Sequence, residues 1–340
     1  MASVPILVGF TVAGAILAWK GGDMLVQASD RLGAYYGLPA IVQGAIIAAV
    51  GSSFPELSSI VIATLRYQSF DIGVGAVVGS AVYNILIIPA VSALVGEGQR
   101  LASNRDLVYK EAQFYLLSIA VLVLTFSLAV IYSPAADTAG LDGFVTRPLA
   151  LIPLGLYGLY LFMQYHDTLE HRAGLTAVVN DVSPAREWLA LVGSLAVILV
   201  GAELLVRAAV GLGDAFGTSP FLWGLTVVAA GTSLPDTFVS VAAARQGNAP
   251  MSLANVFGSN VFALLVALPV GILVAGGAVI NFEEVVPMMS FLTGASVVFF
   301  AVLRTEMALT RGESYVLLGT YALFVAWLVA ESLGVTSVLG

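Results

Sequence analysis

Of the chain's 340 residues, 59% are hydrophobic and 10% charged; it has no cysteine and a net charge of −8. A soluble domain carries roughly 25% charged residues, so this composition belongs to a polytopic membrane protein whose solvent is the lipid bilayer. The acidic balance argues against a nucleic-acid partner, and the lack of cysteine excludes disulfides and thiolate metal sites.

About ten apolar segments approach the roughly 20 residues needed to cross a bilayer. They span residues 4–19, 38–65, 72–95, 112–132, 148–165, 188–210, 215–244, 251–275, 285–303 and 314–330. No outward-facing alternation of a transmembrane barrel is present, which predicts an all-α fold. The first segment has neither a basic leader nor a cleavage site and reads as a retained helix.

The second segment contains GSSFPELSS, Gly51 to Ser59, and Glu56 is its only charged residue between Leu38 and Leu65. A charge in hydrocarbon costs roughly 2.5 to 3.5 kcal/mol on insertion scales, and no lysine or arginine lies within the motif to offset it. A cation from solution is the natural partner. Ser52 and Glu56, spaced i and i+4, share a helix face. Pro55 cannot donate to the Gly51 carbonyl, so the helix kinks and releases an oxygen into the interior. The run from 38 to 65 would extend about 42 Å as one helix, longer than a core of about 30 Å, which fits a broken or tilted helix. In the third segment, GSAVYN places Ser80 and Asn84 at i and i+4 after the close-packing Gly79.

The fifth segment contains GLYGLY, Gly155 to Tyr160, whose glycines suggest a helix-packing surface. His166, Asp167, Glu170 and His171 follow and imitate a metal site, but they read as a solvated loop face. Beyond this connector the pattern returns. Gly51, Ser53, Pro55 and Glu56 recur as Gly231, Ser233, Pro235 and Asp236, offset by 180 residues, and Asp23 meets Glu203 at the same offset. GSAVYN recurs, one residue out of step, as GSNVFA from Gly258 to Ala263. The period spans five segments, an odd number, so the second copy crosses the membrane in the opposite sense. The expected organisation is two inverted five-helix repeats, 1–166 and 188–340, joined by a connector at 167–187. Such repeats place a site near the midplane, with the two acids facing each other. Asp23 and Glu203 lie beside the repeat interfaces, where a structural or gating role fits better than ion ligation.

With an external N-terminus, ten basic residues fall on one side (Lys20, Arg31, Arg100, Arg105, Lys110, Arg172, Arg186, Arg245, Arg304 and Arg311) and three on the other (Arg66, Arg147 and Arg207). The positive-inside rule then places both termini outside the cytoplasm of a cell-membrane protein. The combined donors of the two motifs are carboxylates, hydroxyls, an amide and bare carbonyls. Such hard oxygen ligands select calcium, magnesium, manganese or sodium over zinc or copper. No nucleophile–base arrangement appears in the membrane segments, which argues against an enzyme. A passive channel is the alternative transporter class, but inverted repeats around a closed central site suit alternating access better. The oligomeric state is open between monomer and homo-oligomer.

GSSFPE and GTSLPD, each followed by a GS(A/N)xx(N/A) helix in a duplicated chain, resemble the two alpha-repeats of the calcium/cation antiporter superfamily, specifically sodium/calcium exchangers. The alpha-repeats cover about 38–95 and 215–275, and GVGAVVGSAVYNIL is most similar to the potassium-dependent branch. The resemblance implies secondary active exchange of calcium for sodium without a cofactor, with the first and sixth helices as sliding elements. It implies that Glu56 and Asp236 ligate calcium, that Ser52, Ser53, Thr232 and Ser233 supply ligands shared by calcium and sodium, and that Ser80, Asn84 and Ser259 complete the set. One position departs from the pattern: Ala263 stands where the family has Asp or Asn, leaving potassium dependence, ion stoichiometry and cation identity open, with a proton-coupled or other divalent-cation antiporter of the same fold as the alternative. The short connector lacks the large cytoplasmic regulatory domain of animal exchangers.

Overall fold

The computed structural model describes residues 3–36, 49–135, 141–170 and 183–336. The helices of the first half are α1 (Val4–Tyr35), α2 (Ala49–Ser52), α3 (Phe54–Arg66), α4 (Phe70–Val95), α5 (Ala112–Tyr132) and α6 (Arg147–Glu170). Those of the second are α7 (Pro184–Phe216), α8 (Pro220–Trp223), α9 (Ala229–Thr232), α10 (Leu234–Arg245), α11 (Ala249–Phe262), α12 (Leu268–Ala275), α13 (Phe282–Thr305) and α14 (Arg311–Ser332). Wider π turns at Gly224–Val228 and Ala263–Ala267 join α8 to α9 and α11 to α12. Among the described residues, eight helices are long and apolar enough to cross a bilayer, and the bent pair Pro220–Thr232 and Leu234–Arg245 makes a ninth. The first part of the expected segment 38–65 lies outside the described residues; α2 and α3 are the rest of it.

Three details differ from the sequence-based expectations. α1 continues to Tyr35 rather than ending near residue 19, because Lys20, Asp23, Asp30 and Arg31 end the apolar run without breaking the helix. At 32 residues it is about 48 Å long, more than the hydrocarbon core requires. α6 carries through the start of the connector to Glu170, so His166 is helical and exposed rather than in a loop. The side chains of 167–170, and His171 altogether, lie outside the described residues. Finally, a Cβ added at Gly155 or Gly158 would meet open space, so the glycines are not the contact points; GLYGLY packs through Leu156, Tyr157 and Tyr160, with Tyr157 against Phe262 and Tyr160 against Phe114, while Leu151, Leu159 and Phe162 are exposed.

α1 and α7 occupy corresponding places in the two halves and pack antiparallel. Gly14 faces Gly201 and Leu205, Gly21 faces Ile198 and Ser194, and Leu7 faces Gly211. Their outer faces expose Val4, Ile6, Val8 and Val12, and Leu189, Val192 and Val200, an apolar surface suited to lipid. In contrast, α4 and the α11–α12 span are buried along most of their length and form the centre of the molecule. Two short antiparallel ribbons tie the halves together. β1 (Arg100–Ala102) pairs with β4 (Ala308–Thr310), and β2 (Asp142–Val145) pairs with β3 (Ala278–Asn281).

Glycine lets α4 meet the second half backbone to backbone. A Cβ at Gly79 would lie 2.3 Å from the Leu225 carbonyl, and one at Gly75 would lie 2.5 Å from that of Phe221. This apposition of small residues i and i+4 brings α4 against the half-helix that leads to Ser233. Gly79→Ala is therefore expected to cost about 1 to 3 kcal/mol through overpacking. Gly155→Ala, in open space, should leave stability unchanged. Thermal unfolding of the two purified variants checks the contrast.

Candidate functional site

Each half interrupts a helix at a serine. Ser53 separates α2 from α3, Ser233 separates α9 from α10, and the second pair of half-helices is bent by 43°. The cause is local. Pro55 and Pro235 sit in the first turn of the following helix, where a missing N–H is tolerated, and neither can bond back to Gly51 or Gly231. A serine preceding a helix usually caps it by accepting from the first-turn N–H groups. Neither Ser53 nor Ser233 does so, which leaves both hydroxyls available for other partners.

Glu56 and Asp236 fall in the first turns after these breaks, where the helix dipole favours negative charge. Both are fully buried, and neither forms an ion pair among the described residues. Each accepts from the serine of its own half: Ser80 Oγ donates to Glu56 Oε1 at 3.2 Å, and Ser259 Oγ donates to Asp236 Oδ1 at 2.7 Å. A hydroxyl from the other half lies near each acid, Ser52 near Asp236 and Thr232 near Glu56, although the Thr232 hydroxyl donates to the Val228 and Ala229 carbonyls at 3.1 and 3.3 Å. Ser80 Oγ lies 2.8 Å from Ser233 Oγ, and Ser52 Oγ lies 3.5 Å from Ser259 Oγ. Asn84 Nδ2 donates to Asp236 Oδ2 at 3.2 Å. The structure thus brings these residues together as two adjacent hydrogen-bonded groups, Glu56 with Ser80 and Ser233, and Asp236 with Ser259, Ser52 and Asn84, with Thr232 beside them. Ser53 lies at the same break, buried and without a partner for its hydroxyl among the described residues.

Within this set of residues, Glu56 Oε2 and Asn84 Oδ1 are also buried without a hydrogen-bond partner among the described residues. A buried acceptor left unpaired costs on the order of 1 to 3 kcal/mol, more when charged. Unpaired acceptors beside two carboxylates form a donor set that fits a hard cation. Among the described residues, no group of three or more acids and histidines is placed to hold a metal, so a cation here meets only two carboxylates among neutral oxygens.

Asn255, Asn260 and Ser240 also belong to this region and were not among the expected site residues. Asn255 Nδ2 donates to the Asp236 carbonyl at 3.3 Å and to Ser240 Oγ at 3.1 Å. The signal was available: Asn255 lies four residues before Ser259 on the same helix face.

Among the described residues, the two repeat-related positions beside this cluster are packed differently. A cleft of about 390 Å³ lies between α1 and α10, lined by Trp19, Gly22, Asp23, Pro235, Phe238 and Gln246. It reaches Pro235, one residue short of the buried Asp236. Asp23 bonds there to Gln27 of its own helix at 2.9 Å. The repeat-related position is closed. Glu203 accepts from Tyr67 Oη at 2.7 Å and pairs with Arg66 at 3.0 Å, while Tyr67 packs against a buried apolar cluster that includes Ala63, Ile72 and Leu205. Because the chain has no native cysteine, this difference is directly testable. A cysteine at Phe238 should react with a membrane-impermeant thiol reagent from one face. A cysteine at Ser58, its buried repeat counterpart, should be protected from both faces in the same state.

Comparison with known proteins agrees over nearly the whole length. The family described as sodium/calcium exchanger protein matches residues 6–166 and 186–330. The putative antiporter CaxA of Alkalimonas amylolytica is 30% identical over 271 residues, 79% of this chain and 81% of that protein. The sodium/calcium exchanger MaX1 of Methanosarcina acetivorans is 26% identical over 275 residues, 73% of this chain and 77% of its own. Among solved structures, the sodium-calcium exchanger NCX_Mj superposes with a TM-score of 0.64 at 27% identity, covering 95% of this chain and 99% of that one.

Proposed function

The chain belongs to the sodium/calcium exchanger family as a multi-pass cation antiporter rather than an enzyme, and we propose that it exchanges calcium for sodium by alternating access at the Glu56/Asp236 site. The observation that carries this reading is a pair of repeat-related carboxylates, buried without a basic partner and surrounded by hydroxyls and unpaired oxygens. Glu56, Asp236, Ser52, Ser53, Thr232, Ser233, Ser80, Asn84 and Ser259 are the proposed ligand set. Calcium, or two or more sodium ions, neutralises the two acids. Without a cation, two charges remain in a low-dielectric interior and oppose the conformational change, so transport in one direction requires a return load.

The unequal mouths support the access mechanism. The cleft at Asp23 lies near Lys20, on the side that the distribution of basic residues assigns to the cytoplasm; the closed mouth at Glu203 lies outside. Switching consists of α1 and α7 sliding together across the broken helices. That motion releases Tyr67 and Arg66 from Glu203 and reshapes the cleft that Asp23 and Gln246 line, where Gly22 packs on Pro235 and Trp19 stacks on Phe238. The inverted repeats, 1–166 and 188–340, are the units related by this exchange.

Three outcomes test the site in proteoliposomes. Glu56→Gln and Asp236→Asn should each reduce sodium-driven calcium uptake to near background while leaving a monodisperse, folded protein. Full transport by either variant would falsify the assignment. Calcium binding to the native protein should weaken with added sodium and with falling pH, because sodium and protons take the same carboxylate oxygens. Uptake should also proceed equally with external potassium or choline, since Ala263 offers no side-chain ligand for a further monovalent ion. A strong potassium requirement would show that another group replaces that ligand.

A further inference from the structure

The two central motifs are not copies of each other at their asparagines. α4 carries Ala81 and Asn84 in GSAVYN, whereas α11 and the turn after it carry Asn260 and Ala263 in GSNVFA, so each motif has one asparagine and one alanine in opposite order. In space the four positions converge. Asn260 is fully buried; its Nδ2 donates to the carbonyl of Ala81 at 3.3 Å and to Tyr115 Oη at 3.3 Å. Its Oδ1 accepts from Asn84 Nδ2 at 3.0 Å. That same Nδ2 reaches Asp236 Oδ2, and Asn84 Oδ1 is left buried without a partner among the described residues.

The direction of this chain is fixed by its first member. A backbone carbonyl can only accept, so Ala81 determines which end of the Asn260 amide faces it. The Asn260 oxygen must then face Asn84. Turning the Asn84 amide over would place its oxygen against both the Asn260 oxygen and the Asp236 carboxylate, three acceptors with no proton between them.

We infer that Asn260 is a positioning residue: it holds the Asn84 amide so that Oδ1 is presented to the transported cation. This rests on the proposed role of Asn84 in the ion site. Asn260 stands one step back from the acids: its oxygen accepts from Asn84, and its nitrogen donates to the Ala81 carbonyl and to Tyr115. The second motif thus keeps an asparagine in use although Ala263 supplies no ligand: its amide acts across the repeat interface on the one ligand amide that remains.

The test is a double-mutant cycle on calcium affinity, read by calorimetric titration of the purified protein and by the KM of uptake in proteoliposomes. Asn260→Leu removes the amide at similar volume, and Asn260→Ser is a smaller polar variant in case the first fails to fold. Each should weaken calcium binding on the order of tenfold, the scale of one lost hydrogen bond. Asn84→Ala should weaken it by a similar or larger factor. With Asn84 already absent, either change at Asn260 should have almost no further effect, because nothing is left to orient. If the losses instead multiply, Asn260 acts independently of Asn84 and the inference is overturned. It is also overturned if Asn260 variants bind calcium as the native protein does. Glu56→Gln serves as the separate control: retained binding there would sink the ion site itself, whereas lost binding with multiplying Asn84 and Asn260 effects would sink only the positioning role.

Discussion

Two carboxylates buried without a basic side chain beside them set the requirements for the surrounding structure. A lysine or arginine at contact distance would neutralise the pair permanently and leave no task for an ion from solution. Glu56 and Asp236 are instead held by weaker means. Each sits in the first turn of a helix that starts after a break; Glu56 accepts from the Ser80 hydroxyl, and Asp236 from the Ser259 hydroxyl and the Asn84 amide. These contacts reduce the cost of burial without cancelling the charge. The remainder is available for a cation that enters and leaves.

Such a site demands close approach between helices, because hydroxyls and amides are short. Ser80 can reach both Glu56 and Ser233 only because Gly75 and Gly79 allow α4 to lie against the backbone of Phe221 and Leu225. Larger residues would hold the half-helix away and separate the halves of the proposed ligand set. The rigid centre contrasts with α1 and α7, which face lipid along much of their length and meet the broken helices at their edges. At one mouth that edge is sealed by Tyr67, Arg66 and Glu203; at the other it is a cleft beside Asp23. The physical difference lies in the side chains: Tyr67 and Arg66 bond to Glu203, while their counterparts are Gly247, which has no side chain, and Gln246, which lines the cleft.

Much of this was legible in order along the chain. The apolar segments gave the membrane class, since hydrophobicity over 20 residues is a local property of sequence. Pro55 and Pro235 announced the breaks, because loss of an amide hydrogen acts on the helix that contains it. The 180-residue offset related Glu56 to Asp236 and Asp23 to Glu203 before any packing was known. The pattern was less reliable where neighbours decide. The glycines of GLYGLY suggested packing, yet they face open space on α6, because glycine permits close approach without supplying a partner. α1 was cut short at Lys20 because a hydropathy count stops at charge, whereas a helix continues wherever its backbone bonds are made.

The sequence by itself determined that this is an all-α membrane protein with duplicated, proline-broken helices and one buried acid in each motif, because each of these follows from the nature and spacing of residues near one another in the chain. Only the tertiary structure decided which donors serve which acid, which mouth is closed, and that Asn260 bonds to Asn84 and to the carbonyl of Ala81. Those contacts join residues some 140 to 180 positions apart, and their partners are fixed by how helices from opposite halves are rotated and set in depth against one another. Spacing along a chain carries no record of that rotation; close packing of the assembled helices supplies it.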